Sequence, residues 1–175
     1  MAESVGLESG IVRVVEYNPR WPALFAAEQQ RIRDRCGALA LRIEHVGGTS
    51  IPGMWAKPVL DLAVGRPRGT SVPDYIAALT KADYEHRGER GVTGRQFFRR
   101  GHPGAYHLHL VEEGGPLWRD YVTFRDYLKA HTEAACRFAN LKRALAVRFS
   151  QDREAYMHAK SPYVQDILRQ AGSTA

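Results

Sequence analysis

The chain has 175 residues, of which 44% are hydrophobic and 25% charged, the composition of an ordinary globular domain with a core of its own. No apolar run approaches the roughly 20 residues of a membrane span, and no basic segment followed by an apolar one opens the chain, so a cytoplasmic protein without membrane partners is expected. Lys and Arg exceed Asp and Glu by 25 − 19 = 6, with a pI near 9.5. That balance suits anionic partners such as nucleotides, phosphorylated metabolites or nucleic acid, although a solvated basic surface has the same composition. Zinc-finger spacing and an obvious aromatic stacking platform are missing, which argues against nucleic acid.

Residues 1–10 are small and polar and are expected to form a flexible terminus. Residues 11–15 have strand character, and Asn18-Pro19 signals a turn. From Trp21, the apolar positions Leu24, Phe25, Ile32, Cys36 and Leu39 suit one face of a helix, with Arg31, Arg33, Asp34 and Arg35 on the polar side. Cys36 and Cys136 lie far apart in helical patterns, so two free buried thiols are expected rather than a disulfide.

Residues 41–46 read as a strand that breaks at Gly47-Gly48, followed by the hydroxyls of Thr49 and Ser50. A compact loop with Pro52, Gly53 and Pro58 leads to a second apolar strand, residues 59–64, which contains Asp61. A carboxylate in a buried strand is costly unless something pairs with it. It either meets a nearby Arg or backbone N–H, or is a metal or catalytic group facing the glycine turn. His45 ends the preceding strand and reads as structural.

A loop at 65–69 precedes a helix that Ser71 can cap, with Pro73 in its first turn, through about residue 82. Residues 83–94 are polar and read as a weak strand plus a loop. Residues 95–100 and 105–111 flank Gly101-His102-Pro103-Gly104, which predicts an antiparallel hairpin. Side-chain alternation puts His107 and His109 on one face and Leu108 and Leu110 on the other; Arg95, Phe97 and Arg99 likewise share a face. After Gly114-Gly115-Pro116 the pattern turns helical. Helices are predicted over 117–130, from Thr132 to about 149, from Ser150 through 160, and again from Ser161-Pro162, with Gly172 as the stop. The expected architecture is α+β: one domain over 11–172, with a small mixed sheet, an N-terminal helix and C-terminal helices packed on it.

The stretch HVGGTSIPGMWAKPVLDLAV resembles the signature of the bacterial GrpB family. VEYNPRWPALF, YHLHL, WRDYVTFRDYLKAH and DREAYMHAK match in the same order, so the likeness spans about Val12 to Leu168. That family is similar in fold to the polymerase-beta-like nucleotidyltransferases, and a related domain is fused to some dephospho-CoA kinases. The resemblance implies a metal-dependent transferase acting on a nucleotide or other phosphorylated small molecule. Gly47, Gly48, Thr49 and Ser50 would hold phosphate through backbone N–H groups and hydroxyls. Lys57, Arg99 and Lys160 would supply positive charge, with Arg95 a further basic candidate. Asp61 would bind a divalent metal, Mg²⁺ or Mn²⁺. The nucleotidyltransferase pattern places a second acid two residues later, where this chain has Ala63. His107 and His109, on the later strand where a third acid is expected, would complete the metal shell or move protons, which favours Zn²⁺ or Ni²⁺. Glu112 and Glu113 lie just beyond that strand. Trp55, Trp118 and Tyr121 are stacking candidates, or packed aromatics. The competing readings are a non-catalytic module that binds nucleotide or a partner protein, and an ATP-dependent ligase-like activity through an adenylated carboxylate.

Overall fold

The computed structural model describes residues 5–39 and 41–172; of the expected flexible terminus, residues 1–4 lie outside the described residues. Helix α1 (Trp21–Cys36) is followed by strand β1 (Arg42–Val46), a single 3-10 turn (Gly48–Ser50), β2 (Leu60–Arg66), α2 (Val72–Lys81), the short β3 (Glu85–His86), β4 (Gln96–Arg100), β5 (Tyr106–Glu112), and the three helices α3 (Pro116–Ala130), α4 (Thr132–Arg148) and α5 (Arg153–Gln170). The strands form one mixed sheet in the order β1-β2-β5-β4-β3. Only β2 and β5 run parallel, and they register Asp61 opposite His107 and Ala63 opposite His109.

Alternation along these strands gives the sheet two different faces. One carries Ile43, Leu60, Leu62, Val64, Leu108 and Leu110, packed with Trp21 and Ile32 of α1 and Leu79 of α2 in the main core. The other carries Asp61, Ala63, His107 and His109 toward the C-terminal helices. A separate apolar cluster ties those helices to the loop after the 3-10 turn, through Ile51, Met54, Leu128, Phe138 and Ile167. The polar face of β2 and β5 is thus left beneath a helical layer that has its own core.

Several local expectations are corrected. Residues 11–15 form no strand; Val15 makes one isolated bridge to Ala56. Ser161-Pro162 does not start a helix but lies inside α5. Proline removes one intrahelical hydrogen bond; both residues face solvent, where water can take the freed carbonyl. Asp152, not Ser150, caps α5 by accepting a hydrogen bond from the Ala155 N–H at 2.9 Å. Cys36 is buried as expected, but Cys136 is exposed, because α4 turns Ala134, Phe138, Lys142 and Ala146 inward instead. Glu28 of α1 is buried. It accepts hydrogen bonds from Arg31, Arg100 and the Tyr84 hydroxyl, so this charge is fully paired on the face opposite the site.

Candidate functional site

A cavity of about 890 Å³ opens between the polar sheet face and the C-terminal helices. The glycine turn forms one wall. Gly47 adopts φ +68°, a conformation that favours glycine, and a Cβ there would lie 2.7 Å from Asp61 Oδ2. A Cβ on Gly48 would meet Lys142 Nζ at 2.8 Å and Ala56 Cβ at 3.0 Å. Gly47 is therefore required by its backbone conformation and by Asp61, whereas at Gly48 the close neighbours are the flexible end of Lys142 and Ala56.

Asp61 and the two histidines meet as their strand register requires. Asp61 Oδ1 lies 3.1 Å from His109 Nε2 and 3.5 Å from His107 Nδ1. A carboxylate can only accept, so His109 donates through Nε2. In the neutral ring Nδ1 then accepts, and the Tyr121 hydroxyl lies 3.4 Å from it. Phe97 packs against both imidazoles. Burial pushes the Asp61 carboxyl up, but the hydrogen bonds from His107 and His109, with the charge of either ring when protonated, outweigh it and hold the group well below the usual carboxylate range. Burial pushes His107 down, against the pull of Asp61; as a neutral ring it still donates an N–H.

The expected metal set does not take the form of three ligands around an open position. Among the described residues no group of three or more His, Cys, Asp and Glu side chains is arranged to hold a metal ion. Asp61 Oδ1 is instead shared by the two imidazoles. Ala63, at the second acidic position, is fully buried beside Val46, Val111 and Trp118, a setting hostile to a carboxylate.

Positive charge dominates the rest of the cavity. Lys57, Lys142, Lys160 and Arg153 line it. No hydrogen bond or ion pair joins any of the four to a carboxylate among the described residues. Lys57 and Lys160 each rest on the Tyr156 ring at 5.6 Å, and Lys142 lies 4.8 Å from the Phe138 ring. Burial, then the charges of neighbouring Lys160 and Arg153, bring the Lys57 amine down to about 7. Burial, then Lys160 and Lys57, bring Lys142 down to about 7. Burial also lowers Lys160 and Arg153. Arg90 and Arg95 reach the cavity from the loop before β4 and its end; Arg95 also bonds the Glu89 and Arg90 carbonyls and lies over Phe97.

Of the residues singled out in the sequence, Gly47, Gly48, Thr49, Lys57, Asp61, His107, His109, Lys160, Arg95 and Tyr121 line this cavity. Two expected phosphate ligands do not. The Ser50 hydroxyl donates to the Gly47 carbonyl at 2.6 Å and so closes the turn itself. Arg99 lies in a small neighbouring crevice with residues 7–9, close against Gly104. Thr49 Oγ1 is within 3.0 Å of His45 Nε2, and His45 stacks on Phe25. Trp55 lies under Arg143, Trp118 packs against Gly65, and Glu112 and Glu113 pair with surface arginines. Lys142 and Arg153 were missed. The one available signal was Lys142 itself, four residues from both Phe138 and Ala146 on the apolar face of α4.

Known proteins share this chain's pattern. A family model described as GrpB protein matches residues 11–170. A UPF0157 protein of Pseudomonas aeruginosa is 37% identical over 167 residues, covering 91% of this chain and 67% of that protein. A dephospho-CoA kinase of Mycolicibacterium paratuberculosis is 29% identical over 188 residues, covering 91% of this chain but 46% of the kinase. The chain spans 45% to 67% of the length of the first curated relatives it matches. The crystal structure of the conserved protein GrpB from Enterococcus faecalis superposes with a TM-score of 0.82 at 27% identity, over 91% of this chain and 96% of that one.

Proposed function

This chain belongs to the GrpB family, and from that premise we propose that it holds a nucleotide or other phosphorylated small molecule in the cavity and transfers a nucleotidyl or phosphoryl group beside Asp61. The observation that carries the reading is the excess of positive charge in the cavity: Lys57, Lys142, Lys160, Arg153, Arg90 and Arg95 line it against the carboxylates of Asp61, Asp120 and Glu154, and Asp61 is already shared by two imidazoles. Like charges gathered away from bulk water disfavour one another, and a polyanion relieves them. The glycine turn adds backbone at close range, without a Cβ to keep the anion off.

Transfer to phosphorus depends mostly on positioning and on neutralising charge. Lys57, Lys142, Lys160 and Arg153 would hold the phosphate oxygens and offset the charge that develops on them. Asp61, held well below the usual carboxylate range, is a weak base; its work is to fix both imidazoles. His107, kept neutral by burial, is the better proton acceptor for an incoming hydroxyl. The dephospho-CoA kinases among the relatives support a nucleotide-type ligand.

A second reading, a non-catalytic nucleotide- or partner-binding module, is favoured by Ala63, which removes an acid that two-carboxylate transfer requires. Incubation with nucleotides, divalent metal and an acceptor pool, followed by assays for pyrophosphate, which nucleotidyl transfer releases, and for nucleoside diphosphate, which phosphoryl transfer releases, separates the two. Release of either product that Asp61→Asn abolishes supports transfer. Nucleotide binding without release of either in the wild type supports the module.

A further inference from the structure

We infer that the anion site is proton-linked: a phosphate-bearing ligand enters this cavity together with protons taken up by the Lys57 and Lys142 amines. This rests on the phosphate reading above and adds how that site responds to pH. The geometry carries it. Lys57 comes from the loop before β2 and Lys142 from α4, where its amine sits against the Gly48 backbone. Around Lys57 stand Lys160, Arg153 and the Tyr156 ring on α5, Asp61 on β2 and His107 on β5. Around Lys142 stand Lys160, Lys57 and Asp61. Asp120 on α3, Glu154 on α5 and Arg90 and Arg95 before β4 complete the charged lining, so three carboxylates stand against six cations, and Asp61 is the one that acts on both amines. Arginine keeps its proton at any ordinary pH, so the charge that gives way is on lysine.

The amines at about 7 fit this arrangement. Burial and neighbouring cations both disfavour the charged form; an anion between the amines opposes both influences and restores it. Uptake is greatest where the free amines are neutral and the bound ones charged, that is, above about pH 7 and below the ordinary lysine range. By linkage, affinity falls through that window by about tenfold per pH unit for each proton taken up. Below about pH 6 the amines already carry their protons and the dependence flattens.

Titration calorimetry with sulfate, which has no proton of its own to exchange near neutrality, measures this directly when repeated in buffers of different ionisation enthalpy. Pyrophosphate run in parallel serves as the phosphate probe. Sulfate binding at pH 8 is expected to take up about one proton or more per anion, and close to none near pH 5. Lys142→Met is expected to lower the count at pH 8, and Lys57→Met supplies the same comparison should the first variant fail to fold. Anion binding with no buffer-dependent heat at pH 8 overturns the proton linkage and leaves the phosphate reading standing. An undiminished count in both variants overturns the assignment to these lysines. Binding of neither anion by protein with an intact melting transition overturns linkage and phosphate reading together.

Discussion

Gly47 and Asp61 are packed against each other so closely that a single added methyl group on the glycine would stand 2.7 Å from the Asp61 Oδ2 oxygen. The contact joins the turn that lines the cavity to the carboxylate shared by His107 and His109. Gly47→Ala meets both this clash and a positive φ, and is expected to cost roughly 1–3 kcal/mol of stability. Gly48 has no positive φ, and its Cβ would press on the mobile end of Lys142 and on Ala56. Gly48→Val is therefore expected to fold while losing affinity for pyrophosphate. Melting temperature and pyrophosphate affinity measured together decide this; full affinity in a folded Gly48→Val protein would make the turn structural only.

Lys142 is 5% exposed and carries its amine among other cations. Replacing it by Met removes a buried like-charge contact and keeps most of the volume. Lys142→Met is expected to stabilise the ligand-free protein by on the order of 1–2 kcal/mol, or about 2–8 °C, while weakening anion binding. Burial holds the folded-state amine down at about 7, against the ordinary lysine value of 10.5. The charged form is the disfavoured one, so the wild-type penalty is full below about pH 7 and fades as pH rises toward 10.5. Urea denaturation at pH 6 and pH 10 checks the sign: the variant's advantage should shrink at the higher pH. A variant less stable than wild type at pH 6 would give Lys142 a packing role instead.

His45 supplies a separate acid limb. Burial is the main reason its pKa falls to about 4 from 6.5. The unfolded chain therefore gains this proton first as pH falls. The resulting stability is complete above about 6.5 and is lost as pH drops toward 4. His45→Gln is expected to lower stability at pH 7 yet flatten the decline across that window. Denaturation midpoints every half pH unit test this, and parallel curves for the two proteins would remove His45 from the account.

Asp61→Asn keeps an acceptor oxygen for the histidines but removes the negative charge that both imidazoles and the neighbouring cations meet. Anion affinity is expected to hold or rise, while any pyrophosphate release disappears. Because Asp61 Oδ1 already serves two imidazoles, metal-stripped protein alone is expected to bind Mn²⁺ or Zn²⁺ weakly. Mg²⁺ is expected only with nucleotide, lost in Asp61→Asn and retained in His109→Ala. Tight Zn²⁺ binding by the free protein, lost equally in both variants, would restore a site with two histidines and one carboxylate.

Much of this site was legible before folding, because strand periodicity is a local rule. Alternation alone put His107 and His109 on one face, and Gly47-Gly48 before an apolar strand with one Asp marked the turn. The same kind of rule failed at Pro162, where solvent exposure lets proline sit inside α5, and at residues 11–15, whose strand-like residues find only one bridging contact. A local pattern states what a segment can adopt; its neighbours decide whether it does.

The sequence by itself determined the mixed α+β architecture and which side chains share a strand face, since both follow from spacing along a few consecutive residues. The tertiary structure decided everything that depends on distance across the chain. The parallel β2–β5 pairing brings Asp61 against His107. The helical layer brings Lys142, Arg153 and Lys160 over the same face. It also decided that Ser50 and Arg99 serve other contacts. Charge on a lysine is written in the sequence, but its desolvation and the cations beside it exist only once residues 57, 142, 153 and 160 are folded around one cavity.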